Sequence, residues 1–461
     1  MSVDTTALVA NISHYLNYSD LTESDLLRLG PLGEQLTRLD PKQAHLLENA
    51  FIDHFGLAVA RPIFPHVERL AERVLHHAFF HPVIRIQPQS ESVDKPIANY
   101  GEFSVIQGRP DFLMGVSREE ALRRLTGPTA IVLNYGQKKT RVVSVLVHGN
   151  EPSGFDGMLK WLRDQPTEQP TNVVFLVQNV LAAQATDKPF SLRYKDDTQA
   201  DLNRQWAPFG TPRESLNAYV AAVYDFLNSL ENIDGFLDLH NNSGQNPAYA
   251  IMSYPNEEQR HLSDSEDLAN LLTDQYLTMV LTGGFDGGVR HMAPALAVEC
   301  GYLDSPESDR IALEIMRKFL ERPTKPMGLR DGDLKPRYAI EGSLRLVQRE
   351  TIGLHILGAS AIEQGVFHLR PDIERYNFQQ VRPDTVLGHW SGADWPVELH
   401  EVGPARRDLT RDYLELRDGR VQFHKQTSLA MATTHLPNIE RSRGEFAYTL
   451  QRTLGRRFAH K

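Results

Sequence analysis

The sequence predicts an α/β fold: a mixed, mostly parallel sheet flanked by helices, with a helical N-terminal region and a smaller β-rich C-terminal domain. Three observations predict it. Between about residues 126 and 325, short runs of β-branched and aliphatic residues alternate with amphipathic segments, the pattern of strands covered by helices on both faces. Several of these apolar runs stop at a histidine or a glutamate, and open α/β sheets place their ligands beyond the C-terminal ends of their strands. Pro323, Pro326, Gly328 and Gly332 then punctuate the chain, and short β-rich runs separated by Pro-, Gly- and Asp-rich loops follow. The boundaries expected are 1–125, 126–325 and 326–461.

Taken in order, the first 90 residues carry leucine and alanine at helical spacing, as at Leu26, Leu29 and Leu36, then Ala44 to Phe55 and Val67 to His77. His76, His77 and His81 cluster there, but helical spacing does not bring all three to one face, so solvated or core histidines are expected. Ser117-Arg-Glu-Glu120 is a capping box opening a helix to about Leu125. Thr129–Tyr135 and Arg141–Val147 are β-rich runs joined by Gly136–Thr140, and a hairpin is expected. A helix over Phe155–Arg163, a strand over Val173–Val180, and a helix opened by Thr211-Pro-Arg-Glu214 and running to about Leu230 come next. Strands over Gly235–Leu239, Ala248–Ser253 and Pro294–Val298 alternate with helices over Ser265–Leu281 and from Ser305 to about Glu321. Beyond the boundary, Ser343–Gln348 and Val421–His435 have β character.

Composition bounds the function. The chain of 461 residues carries 49 Lys+Arg against 59 Asp+Glu, a formal charge of −10 with no long run of either sign, which argues against nucleic acid or anionic membrane as partner. No apolar run is long enough to span a bilayer. The first residues, Met-Ser-Val-Asp-Thr-Thr, lack a basic segment followed by an apolar core, so no signal peptide is expected. One cysteine, Cys300, excludes an intrachain disulfide and suits a reducing cytoplasm, the compartment expected.

The chemistry gathers at three strand ends. Val142–Val147 runs into His148 and Gly149, where the glycine lets the backbone turn, with Glu151 three residues beyond His148. Leu239 runs into His240, and Val298 into Glu299. Imidazole nitrogen and carboxylate oxygen are zinc donors, and two histidines with one glutamate and a water are a catalytic zinc set. Alone, His148 would be an ordinary hydrogen-bonded histidine; with Glu151 and His240 it points to metal ligation, leaving Glu299 as a spare carboxylate for acid–base work. Asp238, two residues before His240 on one strand, faces the same way and is either a support for the His240 ring or a plain strand-end aspartate. Asn203-Arg204 suggests recognition of a carboxylate by a planar guanidinium, against the alternative of a surface arginine. Arg193 suits either polarisation of a scissile carbonyl or a salt bridge.

His148-Gly-Asn-Glu151, Asp201-Leu-Asn203-Arg204, Asp238-Leu-His240-Asn-Asn and Val298-Glu299-Cys-Gly together resemble the succinylglutamate desuccinylase/aspartoacylase family of the zinc carboxypeptidase superfamily, over about residues 126–322. The resemblance implies a zinc carboxypeptidase-like fold and one zinc per chain held by His148, Glu151 and His240. It implies Glu299 as general base and acid, Asn203 and Arg204 as the grip on a substrate carboxylate, and Arg193 as the carbonyl-polarising arginine, although Arg193 stands farther from Asn203 than the family's spacing. A small-molecule substrate with a free carboxylate, of the N-acyl amino acid type, is therefore expected. The alternatives are a carboxypeptidase acting on peptides with the same residues and a non-catalytic zinc-binding protein, which would have no need of Glu299.

Overall fold

The computed structural model describes residues 84–85, 103–195, 201–206, 211, 216–230, 232–253, 261–279, 284–303, 305–324, 335–347, 352–356, 364–402 and 406–453. The helical segments expected before residue 84, the histidine group at 76–81 and most of the Pro/Gly boundary at 325–334 lie outside the described residues.

The first half of the chain supplies β1 (Ile84–Arg85), β2 (Ser104–Gln107), β3 (Thr129–Leu133), β4 (Thr140–Val145), β5 (Asn172–Val177), β6 (Ile233–Asn242), β7 (Tyr249–Ser253), β8 (Tyr276–Met279) and β9 (Ala295–Tyr302). The second half supplies β10 (Arg337–Leu346), β11 (Gly353–Ile356), β12 (Val366–Leu369), β13 (Gln380–Val381), β14 (Val386–His389), β15 (Val397–Glu401), β16 (Leu414–Arg417), β17 (Arg420–Phe423), β18 (Thr427–Ala430) and β19 (Glu445–Thr453). Among the described residues, one large sheet runs β13-β18-β19-β10-β8-β7-β9-β6-β4-β5-β3-β2, with β15 also on β10, and a second sheet runs β1-β11-β12-β14-β17-β16. The centre of the large sheet is parallel, β5 to β4, β4 to β6 and β6 to β9. The fold is thus mixed α/β with a large helix-flanked sheet, as the alternating pattern predicts.

Alternation along the strands explains the layering. Val143 and Val145 of β4 enter one core with Phe155, Met158 and Leu162 of the helix Ser153–Arg163 and Ile315 and Phe319 of the helix Pro306–Glu321. Val142, one residue off, enters a second core on the opposite face, with Val220 and Val223 of the helix Ala218–Ser229 and Phe285. Arg141 also lies in β4 and is fully buried. Its guanidinium pairs with Asp234 at 2.9 Å and donates to the carbonyls of Phe319, Leu320 and Pro323 at 3.0, 2.8 and 3.2 Å, so one cation caps the C-terminus of the last helix of this region. No helix among the described residues is long and apolar enough to cross a membrane.

Several expected elements are corrected. The runs at 129–133 and 140–145 do not form a hairpin: β5 lies between them, antiparallel to β3 and parallel to β4. β5 reads Asn-Val-Val-Phe-Leu-Val, almost wholly apolar, and its non-local pairings outcompete the local turn. The helix expected to open at Thr211 begins at Ala218, where the Asn217 side chain accepts from the Tyr219 N–H at 2.9 Å; residues 212–215 lie outside the described residues. The helix expected over 265–281 ends at Leu272, and the β-prone Tyr276–Met279 joins the sheet as β8 between β7 and β10. Ser117 caps the helix Arg118–Arg123 as expected, its hydroxyl accepting from the Glu120 N–H at 3.2 Å, while the Glu120 carboxylate pairs with Arg123 and Arg124.

Candidate metal centre

The strand-end reading holds only in part. β4 stops at Val145, Leu146 takes a left-handed φ of 56°, and His148 follows on the loop. β6 continues through His240 to Asn242, and β9 through Glu299 to Tyr302, so these two side chains project from within strands. His240 and Glu299 are direct partners in the parallel ladder and share a face. Gly149 is required by close approach: a Cβ there would stand 2.5 Å from Ala183 N and 2.6 Å from Leu192 O. The Gly149 N–H also donates to the Arg193 carbonyl at 3.1 Å, fastening the His148 loop to the Arg193 segment.

His148, Glu151 and His240 are all buried and come together, with one donor atom from each lying within 4.8 Å of the others. Glu151 Oε1 is 2.8 Å from His148 Nδ1, and its Oε2 is 2.8 Å from His240 Nδ1. The two imidazole rings are 5.2 Å apart between centroids. The far nitrogens are braced from behind. His240 Nε2 is 2.8 Å from Asp238 Oδ2, and His148 Nε2 is 3.1 Å from Asp201 Oδ1. Each Nε2 thus has a carboxylate oxygen behind it, and each Nδ1 faces Glu151 at the centre. His148 Nδ1 is buried and makes no hydrogen bond despite its closeness to Glu151, the state of a donor atom shaped for something other than a proton.

The electrostatics follow from this packing. Burial alone would raise the Glu151 carboxyl, but His148 and then His240 outweigh it and hold it low. Asp201 is likewise held well below the usual range by His148 and Arg193 against burial. His240 is raised well above the usual range by Asp238 and Glu151, against burial. Glu299 goes the other way: burial pushes it to about 7, and the Glu151 charge adds to the push against the opposing pull of His240. Its Oε2 is buried without a hydrogen-bond partner, while the residue keeps a partial opening.

The Arg193 guanidinium stands beside the centre. It donates from Nη1 to Glu151 Oε1 at 2.8 Å and from Nε to Tyr194 Oη at 3.0 Å, and its Nη2 is 2.7 Å from His148 Nε2. Tyr194 in turn donates to Asp201 Oδ2 at 3.0 Å. Asn203 uses Oδ1 to accept from the Phe285 N–H at 3.1 Å, which ties the Asp201–Arg204 turn to the neighbouring helix. Arg204 is exposed and donates to the Asn203 carbonyl at 2.8 Å. All seven sequence-selected residues line one cavity of 340 Å³.

Two groups of lining residues escaped sequence reasoning. Tyr194 and Asp201 brace the centre from behind; Asp201 stood inside a motif, but nothing in spacing showed that it would meet His148. The outer wall comes from the far end of the chain, with Asn438, Arg441, Glu445 and Tyr448 facing the cavity. Glu445 accepts hydrogen bonds from Ser343, across the β10–β19 pairing, and from Tyr448 within β19. No sequence signal marks these residues, because they reach the site only through pairing of strands about 200 residues downstream of His240. Cys300 is a buried core thiol on the opposite face of β9, and burial pushes it well up.

No protein-family model matches this chain, and no curated protein matches it. Solved structures do. A succinylglutamate desuccinylase from Vibrio parahaemolyticus is 14% identical with a TM-score of 0.45, covering 74% of this chain and 96% of that one. A succinylglutamate desuccinylase/aspartoacylase from Rhodobacter sphaeroides is 14% identical with a TM-score of 0.43, over 71% and 89%. A succinylglutamate desuccinylase from Vibrio cholerae is 17% identical with a TM-score of 0.41, over 68% and 82%. At such identities and scores nothing about chemistry transfers. Many of the solved structures this chain is similar to are succinylglutamate desuccinylase/aspartoacylase family proteins, the family that its own motifs resemble.

Proposed function

We propose that this protein is a zinc-dependent hydrolase that cleaves the amide bond of a small, carboxylate-bearing substrate of the N-acyl amino acid type. The observation that carries the reading is the buried His148–Glu151–His240 donor set facing one cavity together with Glu299 and Arg204. The donor set fits the ion. Two imidazole Nδ1 atoms and a carboxylate meet, each ring has a carboxylate behind its Nε2, and the His148 Nδ1 is buried with no hydrogen bond of its own. Bound there, zinc would supply Lewis acidity and a water acidic enough to ionise near neutrality.

The chain's own residues do the rest. Glu299, with its affinity for a proton raised by burial, takes the proton of the attacking water and passes it to the leaving amine nitrogen. Arg204, exposed at the cavity mouth, fixes the substrate carboxylate, and Asn203 holds that turn in place through Phe285. Arg193 puts a fixed positive charge beside the donor set, suited to a developing oxyanion, a contribution commonly of about 3–4 kcal/mol. Glu299 is the feature a purely structural metal site does not need.

The test has two parts. Purified protein is assayed for one zinc per chain and for hydrolysis of a panel of N-acyl amino acids beside peptides with free C-termini. Hydrolysis of the first group alone is expected, and cleavage confined to peptides would replace this reading with a carboxypeptidase. Glu299→Gln should keep its zinc and lose activity by about 100-fold or more; full activity in that variant would overturn the assigned mechanism.

A further inference from the structure

Behind His240 the hydrogen bonds do not stop at Asp238. Asp238 Oδ1 accepts from Ser144 Oγ at 2.6 Å, Ser144 Oγ accepts from Gln178 Nε2 at 2.5 Å, and Gln178 Oε1 accepts from Tyr219 Oη at 3.3 Å. The five side chains belong to β4, β6, the end of β5 and the first turn of the helix Ala218–Ser229, and none is more than 3% exposed. Ser144 and Asp238 are direct ladder partners, so the sheet register itself sets their contact.

The direction of every link is forced. Asp238 accepts from the Ser144 hydroxyl on Oδ1, and its Oδ2 faces His240 Nε2. Ser144, having given its single proton away, must accept from Gln178, which fixes the amide with nitrogen toward Ser144 and oxygen toward Tyr219. Nothing in the chain can rotate to an alternative without leaving a buried polar atom unpaired, which costs more than a net hydrogen bond gains.

We propose that Ser144 and Gln178 are positioning residues for His240: a one-way relay of buried hydrogen bonds orients Asp238, which holds the His240 ring with Nε2 protonated and Nδ1 presented to the metal. The inference rests on the reading of His240 as a metal ligand. Ser144 and Gln178 do not line the cavity, and their side chains reach His240 through Asp238.

The relay is tested with Ser144→Ala, Gln178→Met and the conservative Ser144→Thr, which keeps the hydroxyl. Zn²⁺ affinity is measured by competition with a chelator, and the His240 ring N–H is followed by nitrogen-15 NMR in the metal-free protein. Ser144→Ala and Gln178→Met should weaken Zn²⁺ binding about 10–100-fold and speed solvent exchange of the Nε2 proton. Ser144→Thr should restore both, and Tyr219→Phe, which removes the longest link, should change them least. Variants that lose thermal stability but keep wild-type Zn²⁺ affinity and a protected Nε2 proton would overturn the proposal. A wild-type protein that binds no Zn²⁺ would instead overturn the zinc reading, and the NMR signature would still decide whether the relay holds the ring.

Discussion

Glu299→Gln should make the metal-free protein more stable at neutral pH, and the size of the gain follows from the site. The Glu299 carboxyl is raised from the usual 4.5 to about 7, chiefly because burial strips its water. Between those values the folded chain keeps a proton that the unfolded chain has released. Stability linked to this group is therefore complete below about pH 4.5 and is lost as pH rises through about 7. At about 1.36 kcal/mol per pH unit the span is worth at most about 3.4 kcal/mol, an upper bound because the residue keeps a partial opening to the cavity. Glutamine copies the protonated form and cannot ionise. The variant should match wild type near pH 4.5 and exceed it at pH 8 by up to that amount. Urea unfolding in the presence of a chelator, repeated across this range, measures the difference. Parallel stability curves, or a wild type that is the more stable at pH 8, would refute the reasoning. Adding Zn²⁺ should shrink the gap, since a nearby cation favours the carboxylate and removes the cost that the glutamine escapes.

Other expected outcomes concern neighbouring features. Arg141→Met should cost about 3–5 kcal/mol in urea unfolding, because it strips Asp234 of a buried partner and leaves three helix-end carbonyls unsatisfied; a cost below 1 kcal/mol would be fatal to the capping account. Gly149→Ala should lose about 1–3 kcal/mol of stability, since its Cβ meets backbone rather than a movable side chain, and should weaken Zn²⁺ binding with it. Asp201→Asn should weaken Zn²⁺ binding about 10–100-fold by freeing the His148 ring, with titration calorimetry as the measure and an unchanged affinity as the contrary result. Chelation should lower the melting temperature, because an ion present at about 1,000 times its dissociation constant contributes about 4 kcal/mol; a melting temperature indifferent to chelator would count against any metal at the site.

The sequence exposes the donor set and conceals its surroundings, and the reason is physical. His148, Glu151, His240 and Glu299 follow apolar runs whose burial is legible from side-chain character alone, and burial puts the polar residue that follows beside the ligand edge. The partner of each run is not legible. The 129–133 and 140–145 runs sit next to each other in sequence with a turn between them, yet a strand 30 residues later separates them in space, because its apolar surface gains more in the centre of the sheet than the turn gains locally. The end of the helix over Leu262–Leu272 was similarly hidden: the stretch that follows, Tyr276–Met279, has apolar residues compatible with either state, and only the vacancy between β7 and β10 decides for strand. Arg441, Glu445 and Tyr448 carry no local signal, since what selects them is a cavity assembled from the other end of the chain.

The pairing of β19 with β10, and of β10 with β8, gives the cavity an unusual mechanical character. The wall that holds Glu445 and Tyr448 belongs to the same hydrogen-bonded sheet as His240 and Glu299, rather than to a flap hinged beside it. For the proposed substrate, a wall built into the sheet would cost little ordering entropy on binding. The same continuity constrains how the cavity can be altered. A substitution in the wall is felt along a ladder that also anchors the donor set, so variants selected for a new substrate should trade stability for selectivity in one step, and those that succeed should change side-chain tips while leaving the strand register untouched.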